Sequence, residues 1–107
     1  MSIPKVNNVS GEEAYKIISE NKDVIILDVR TKEEYDNGHL HGAKLMPVGV
    51  ISSRISELEK FKDKPILVYC ASGGRSPQAV KYLVQGEFSQ IYHLTRGLSS
   101  WKYGIEK

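Results

Sequence analysis

The chain has 107 residues, room for one domain and no second core, so residues 1–107 read as a single domain. Fifteen Lys and Arg stand against thirteen Asp and Glu, and the resulting +2 is spread along the chain in both signs, which argues against nucleic-acid or membrane partners. A single cysteine excludes an intrachain disulfide, and a chain of this size buries roughly two thirds of its unfolded surface, enough to stand without a structural metal.

The start, Met1-Ser2-Ile3-Pro4-Lys5, has no apolar stretch with a small-residue cleavage site, and no later run is long enough to span a bilayer. A lone free thiol fits a reducing compartment, so a cytoplasmic location is expected. Ser10 and Glu13 have capping-box spacing, and Ala14, Ile17 and Ile18 follow on one helical face, predicting a helix that ends near Asn21. Val24-Ile25-Ile26-Leu27 is a continuous branched apolar run, as in a strand covered on both faces, and it delivers Asp28-Val29-Arg30 to its end. Thr31 and Glu34 repeat the capping-box spacing for a short helix that Gly38 stops.

Ala43-Lys44-Leu45-Met46 predicts a weaker strand before Pro47. Ser53 is expected to cap a helix carrying Ile55, Leu58 and Phe61. Ile66-Leu67-Val68-Tyr69 is the clearest strand, and it ends on Cys70. Ser76-Pro77 reads as an N-cap with proline at the first helical position, heading a helix with Ala79, Val80, Leu83 and Val84 that ends at Gly86. Ile91-Tyr92-His93-Leu94 is the last core strand. Strands alternating with helices imply an α/β fold, a doubly wound three-layer domain with a parallel sheet of four or five strands between helices. Asp28, Pro47, Cys70 and Thr95-Arg96-Gly97 then share the C-terminal edge, where open parallel sheets hold ligands.

Cys70-Ala71-Ser72-Gly73-Gly74-Arg75 lies between a strand and a capped helix. Two glycines permit positive φ, so the amides of Ala71 to Arg75 are expected to face inward as an anion nest. The helix N-terminus at Ser76 and the guanidinium of Arg75, able to grip an oxyanion with two prongs, add to the field. Such a field lowers a cysteine pKa by one to several units from roughly 8.5 and so supplies thiolate at neutral pH. An inert cysteine at a strand end would have no use for this loop.

Four motifs in order resemble the rhodanese family, in particular its small single-domain thiosulfate sulfurtransferases. They are Asp28-Val29-Arg30 with Glu33-Glu34-Tyr35, Gly38-His39-Leu40-His41-Gly42-Ala43, the loop from Cys70 to Arg75, and Leu94 to Trp101. The resemblance implies a rhodanese-like fold and a sulfurtransferase without cofactor, in which Cys70 takes sulfur from thiosulfate or a similar sulfane-sulfur donor as a persulfide. With no second cysteine to resolve it, the acceptor comes from outside as cyanide, a small thiol or a protein thiol. Relatives that act as phosphatases or arsenate reductases carry one more residue between Cys and Arg, and a non-catalytic binding module of the same family is a further alternative. Ala71 stands where many active members have a basic residue, Thr95-Arg96-Gly97 replaces their glycine pair, and Gly86-Glu87-Phe88 replaces their Gly-Phe.

Of the remaining residues, Asp28 is expected to support the loop or pair with an arginine, and Arg30 to pair with Glu34. His39 and His41 lack the further ligands of a metal site and read as part of a turn. Arg96 and Lys102 are placed at the rim, where they would attract an anionic donor. Trp101 reads as packing and Tyr69 as strand filling.

Overall fold

The computed structural model describes residues 5–107; Met1 to Pro4, the stretch in which no leader is expected, lie outside the described residues. In chain order the elements are β1 (Lys5–Val9), α1 (Gly11–Glu20), β2 (Ile25–Asp28), α2 (Lys32–Asn37), β3 (Lys44–Leu45), α3 (Ile51–Arg54), β4 (Pro65–Tyr69), α4 (Ser76–Gln85) and β5 (Gln90–Leu94). Three 3₁₀ segments, Val48–Val50, Ile55–Phe61 and Gly97–Ser100, complete it. The five strands form one sheet in the order β1-β5-β4-β2-β3, and every pairing is parallel. Each parallel pair needs a crossover, and the helices provide one after each of the first four strands.

The alternation of β4 divides the core. Ile66 and Val68 join a cluster with Ile51, Leu58, Ala79 and Leu83, whereas Leu67 and Tyr69 join one with Ala14, Leu40 and Leu94. Ile66 through Tyr69 are fully buried, as the unbroken apolar run requires when helices cover both faces of a strand. The fold is therefore the doubly wound α/β domain expected, with a five-stranded parallel sheet. β2 and β4 are neighbours whose crossovers leave in opposite directions, toward β3 and toward β5. The ends of these two strands, Asp28 and Cys70, flank the switch point at which such sheets open a crevice.

Both capping boxes form. Ser10 Oγ accepts from the Glu13 amide at 3.1 Å and Thr31 Oγ1 from the Glu34 amide at 3.3 Å, and each glutamate reaches back to the amide of its cap. Two local expectations are corrected. Ser53 caps nothing: the helix has already begun at Ile51, and the Ser53 hydroxyl donates to the Val50 carbonyl. The stretch from Ile55 to Phe61 is 3₁₀ rather than α, in keeping with its apolar residues Ile55, Leu58 and Phe61 recurring every third position, the repeat of a 3₁₀ helix. β1 is an addition. It is an edge strand with Asn7 and Asn8 at its centre, and those polar residues hide it from a search for apolar runs.

Candidate active site

β4 carries Cys70 to the C-terminal edge, and the chain turns at once into a loop that closes on the sulfur. Cys70 Sγ accepts from the Gly73 amide at 3.1 Å and the Ser76 amide at 3.4 Å, and the thiol lies 3.4 Å from Ser76 Oγ. Gly73 makes this turn possible with φ 98°, in the left-handed region. Gly74 has no positive φ, so only one of the two glycines curls the loop. The residue is 1% exposed, and its other side packs on the apolar cluster beneath α4. Burial acts to raise the pKa of the thiol, but the Ser76 hydroxyl and the amides of Ser76, Arg75 and Gly73 outweigh it, and the net shift is downward. The amides hydrogen-bonded to the sulfur are thus those of Gly73 in the loop and Ser76 at the start of α4; those of Ala71, Ser72 and Gly74 make no bond to it.

Two contacts hold the loop from outside. Leu98 N–H donates to the Cys70 carbonyl at 2.9 Å and Ser99 N–H to the Ala71 carbonyl at 3.0 Å, which turns these carbonyls away from the sulfur. The approach is so close that a Cβ on Gly97, at φ 60°, would strike the Cys70 carbonyl. On the other flank the two prongs of Arg75 go to Glu34, at 2.7 and 2.8 Å. The guanidinium expected to grip a donor anion is engaged with a carboxylate of α2, and Arg75 contributes to the sulfur through its amide and its nearby charge. The Arg75 pair holds the Glu34 carboxyl down to about 2, against the opposing effect of burial.

A buried network fixes the neighbouring strand ends. Arg30 donates through Nε and Nη2 to Asp28, at 3.0 and 2.7 Å, and through Nη2 to the Gly38 carbonyl at 2.6 Å. The expected Arg30–Glu34 pair is therefore corrected: Arg30 turns inward to Asp28, and Glu34 is taken by Arg75. Tyr69 is more than filling. Its hydroxyl donates to Asp28 Oδ2 at 2.7 Å and accepts from Leu40 N–H at 3.1 Å, while burial and the Asp28 bond raise its pKa. Asp28 reaches Arg30 and Tyr69 and makes no bond to the loop.

Ser76, expected as an N-cap, has Arg75 in that position instead. Its hydroxyl, fully buried, lies between Cys70 Sγ and Nε2 of His93. His93 Nδ1 in turn lies 3.3 Å from Asn8 Oδ1, and burial lowers the pKa of the imidazole. Sequence reasoning passed over Glu34 and His93 as site residues: a lone histidine in a strand carries no motif, and only the packing of α4 on β5 brings it to the serine. Arg96 and Lys102 line a groove of about 710 Å³ with residues 8–13 and Tyr103, and no residue of the 70–76 loop borders it. His39 stacks on Tyr35 and exposed His41 pairs with Glu106, as befits a turn, and no cluster of metal-binding side chains occurs among the described residues. Trp101 packs at the margin of the second core cluster.

Known proteins resemble this chain over most of its length. The model of the Rhodanese-like domain matches residues 10–103. A sulfurtransferase of Allochromatium vinosum is 33% identical over 101 residues, covering 94% of this chain and 92% of that protein. The Coxiella burnetii protein named thiosulfate sulfurtransferase GlpE is 30% identical over 94 residues, covering 88% of this chain and 85% of its own. Among solved structures, a rhodanese-like domain protein of Staphylococcus aureus superposes with a TM-score of 0.82 at 30% identity, covering 94% of this chain and 96% of that one.

Proposed function

The chain belongs to the family of rhodanese-like domains, and from that premise we propose that it is a sulfurtransferase in which Cys70 carries sulfur as a persulfide. The observation that supports this most is the convergence of the Gly73 and Ser76 amides on Cys70 Sγ beside the start of a ten-residue helix. The Cys70 thiolate attacks the outer sulfur of thiosulfate or another sulfane-sulfur donor. A sulfur–sulfur bond forms to Cys70 as the donor's own bond breaks, and the rest of the donor, sulfite when that donor is thiosulfate, leaves with the electron pair. The same amides then hold the negative terminal sulfur. An external thiolate or cyanide attacks that sulfur, and Cys70 leaves as thiolate.

Four residues separate Cys70 from Arg75, and the guanidinium is occupied by Glu34, so the loop is poorly furnished to grip a tetrahedral phosphate or arsenate with that side chain. Cys70 is covered, and its loop presents Ser72 and Gly74 as its exposed residues, which makes that tip the entrance for the donor. No helix among the described residues is long and apolar enough to cross a membrane. A free thiol of this kind belongs in a reducing compartment such as the cytoplasm, with residues 1–107 working as one domain without cofactor.

Incubation with thiosulfate and cyanide tests the proposal. Thiocyanate is expected from the native protein and none from Cys70→Ser. Turnover of an aryl phosphate without thiocyanate would replace sulfur transfer with phosphatase chemistry, and neither product, with an unreactive thiol, would leave a binding module.

A further inference from the structure

His93 is the one imidazole of the chain that lies on the sheet beside the thiol, and the mechanism above leaves it unused. Its neighbours are Ser76 from α4, Asn8 from β1, in register with it, and Val68 from β4, also in register. Beyond Ser76 lies Cys70, the only titratable group in this line, and no charged side chain acts on the imidazole: burial alone shifts its pKa. The four side chains form one path, from Cys70 (1% exposed) through Ser76 and His93 (8% exposed) to Asn8 at the surface.

The hydrogen bonds along this path have a single consistent direction. The carbonyl oxygen of Asn8 accepts from His93 Nδ1, which puts the proton of the neutral ring there and leaves the lone pair on Nε2 facing Ser76. Ser76 Oγ–H then donates to Nε2, and its oxygen accepts from the Cys70 thiol. Resting on the sulfurtransferase reading of Cys70, we propose that His93 is a positioning residue that takes the Cys70 proton through the Ser76 hydroxyl and so generates the attacking thiolate.

The transfer balances. The thiol proton passes to Ser76 Oγ while the proton of that hydroxyl passes to His93 Nε2. What remains is a thiolate, a neutral serine whose hydroxyl now donates to the sulfur, and an imidazolium. The sulfur gains a third donor beside the Gly73 and Ser76 amides, and the imidazolium keeps its Nδ1–H on Asn8. Burial opposes the charged ring, so the imidazolium is held by the thiolate beside it and by the Asn8 oxygen at Nδ1. The reverse path returns a proton to Cys70 once the acceptor has removed the sulfur.

The test is the pH profile of Cys70 alkylation by iodoacetamide in the native protein, His93→Gln and Ser76→Ala. Glutamine keeps an acceptor near Ser76 but cannot take a proton. The native midpoint is expected below that of a free peptide cysteine, and both variants are expected to move it up by about one pH unit, roughly tenfold less thiolate at pH 7. In the native protein, ¹⁵N NMR of His93 is expected to show protonated Nδ1, with a midpoint that falls once Cys70 is alkylated and the thiolate is gone. A rapid native reaction with His93→Gln profiles superimposed on it, or a His93 midpoint that alkylation leaves in place, overturns the relay and spares the sulfurtransferase reading. A native Cys70 no more reactive than a free peptide cysteine ends both.

Discussion

A methyl group on residue 73 would collide with the Thr95 carbonyl, whereas the same group on residue 74 would meet nothing within 4 Å. Gly73→Ala must also hold an unfavourable φ of 98°. It is expected to cost about 1–3 kcal/mol and to slow Cys70 alkylation, while Gly74→Ala stays within about 0.5 kcal/mol of the native protein with its thiol unchanged. Urea unfolding and alkylation rates on the two variants check this pair. The Glu34–Arg75 bridge adds an acid dependence. The Glu34 pKa falls from 4.5 to about 2 on folding, so its contribution is fully present above about pH 4.5 and is lost as pH drops toward 2. With side chains 33% and 37% exposed, solvent screens much of the effect. Glu34→Gln, which can still serve the capping box, is expected to lower the urea midpoint at pH 6 and to converge on the native protein near pH 2. A gap that stays constant over that range would contradict the assignment.

At the scale of elements, β2 and β4 are tied at their ends by Asp28, Arg30 and Tyr69. Arg30→Met strands a buried carboxylate and frees the Gly38 carbonyl, and it is expected to destabilise by about 3–5 kcal/mol, measurable by urea denaturation. A loss below about 1 kcal/mol would mean that the pair is not what joins the strands. What could be read ahead of the structure follows from how local each signal is. Ser10 with Glu13 and Thr31 with Glu34 were legible because a capping box closes within four residues. Arg30 takes Asp28, two residues away, instead of Glu34 at helical spacing, because both side chains are buried at the end of the strand, where an unpaired charge would be costly. The bridge from Glu34 to Arg75 spans 41 residues, and no spacing rule reaches that far.

For the molecule as a whole, class and site edge were legible because parallel strands separated by helices leave few arrangements, and all of them gather strand C-termini on one side. Cys70 and its loop follow from that edge. The order of the strands does not: β1 joins β5 across the whole length of the chain, and its pairing is what sets Asn8 against His93. The degree of cover over Cys70 was equally hidden, since it depends on how residues 95–99 seat against the loop. The central claim is that the sulfur held by those amides accepts and surrenders a sulfur atom. Mass spectrometry of the protein after exposure to thiosulfate tests it most directly. One added sulfur on the peptide bearing Cys70, removed by cyanide and absent in Cys70→Ser, is the predicted result; an unmodified Cys70 peptide under the same exposure would contradict it.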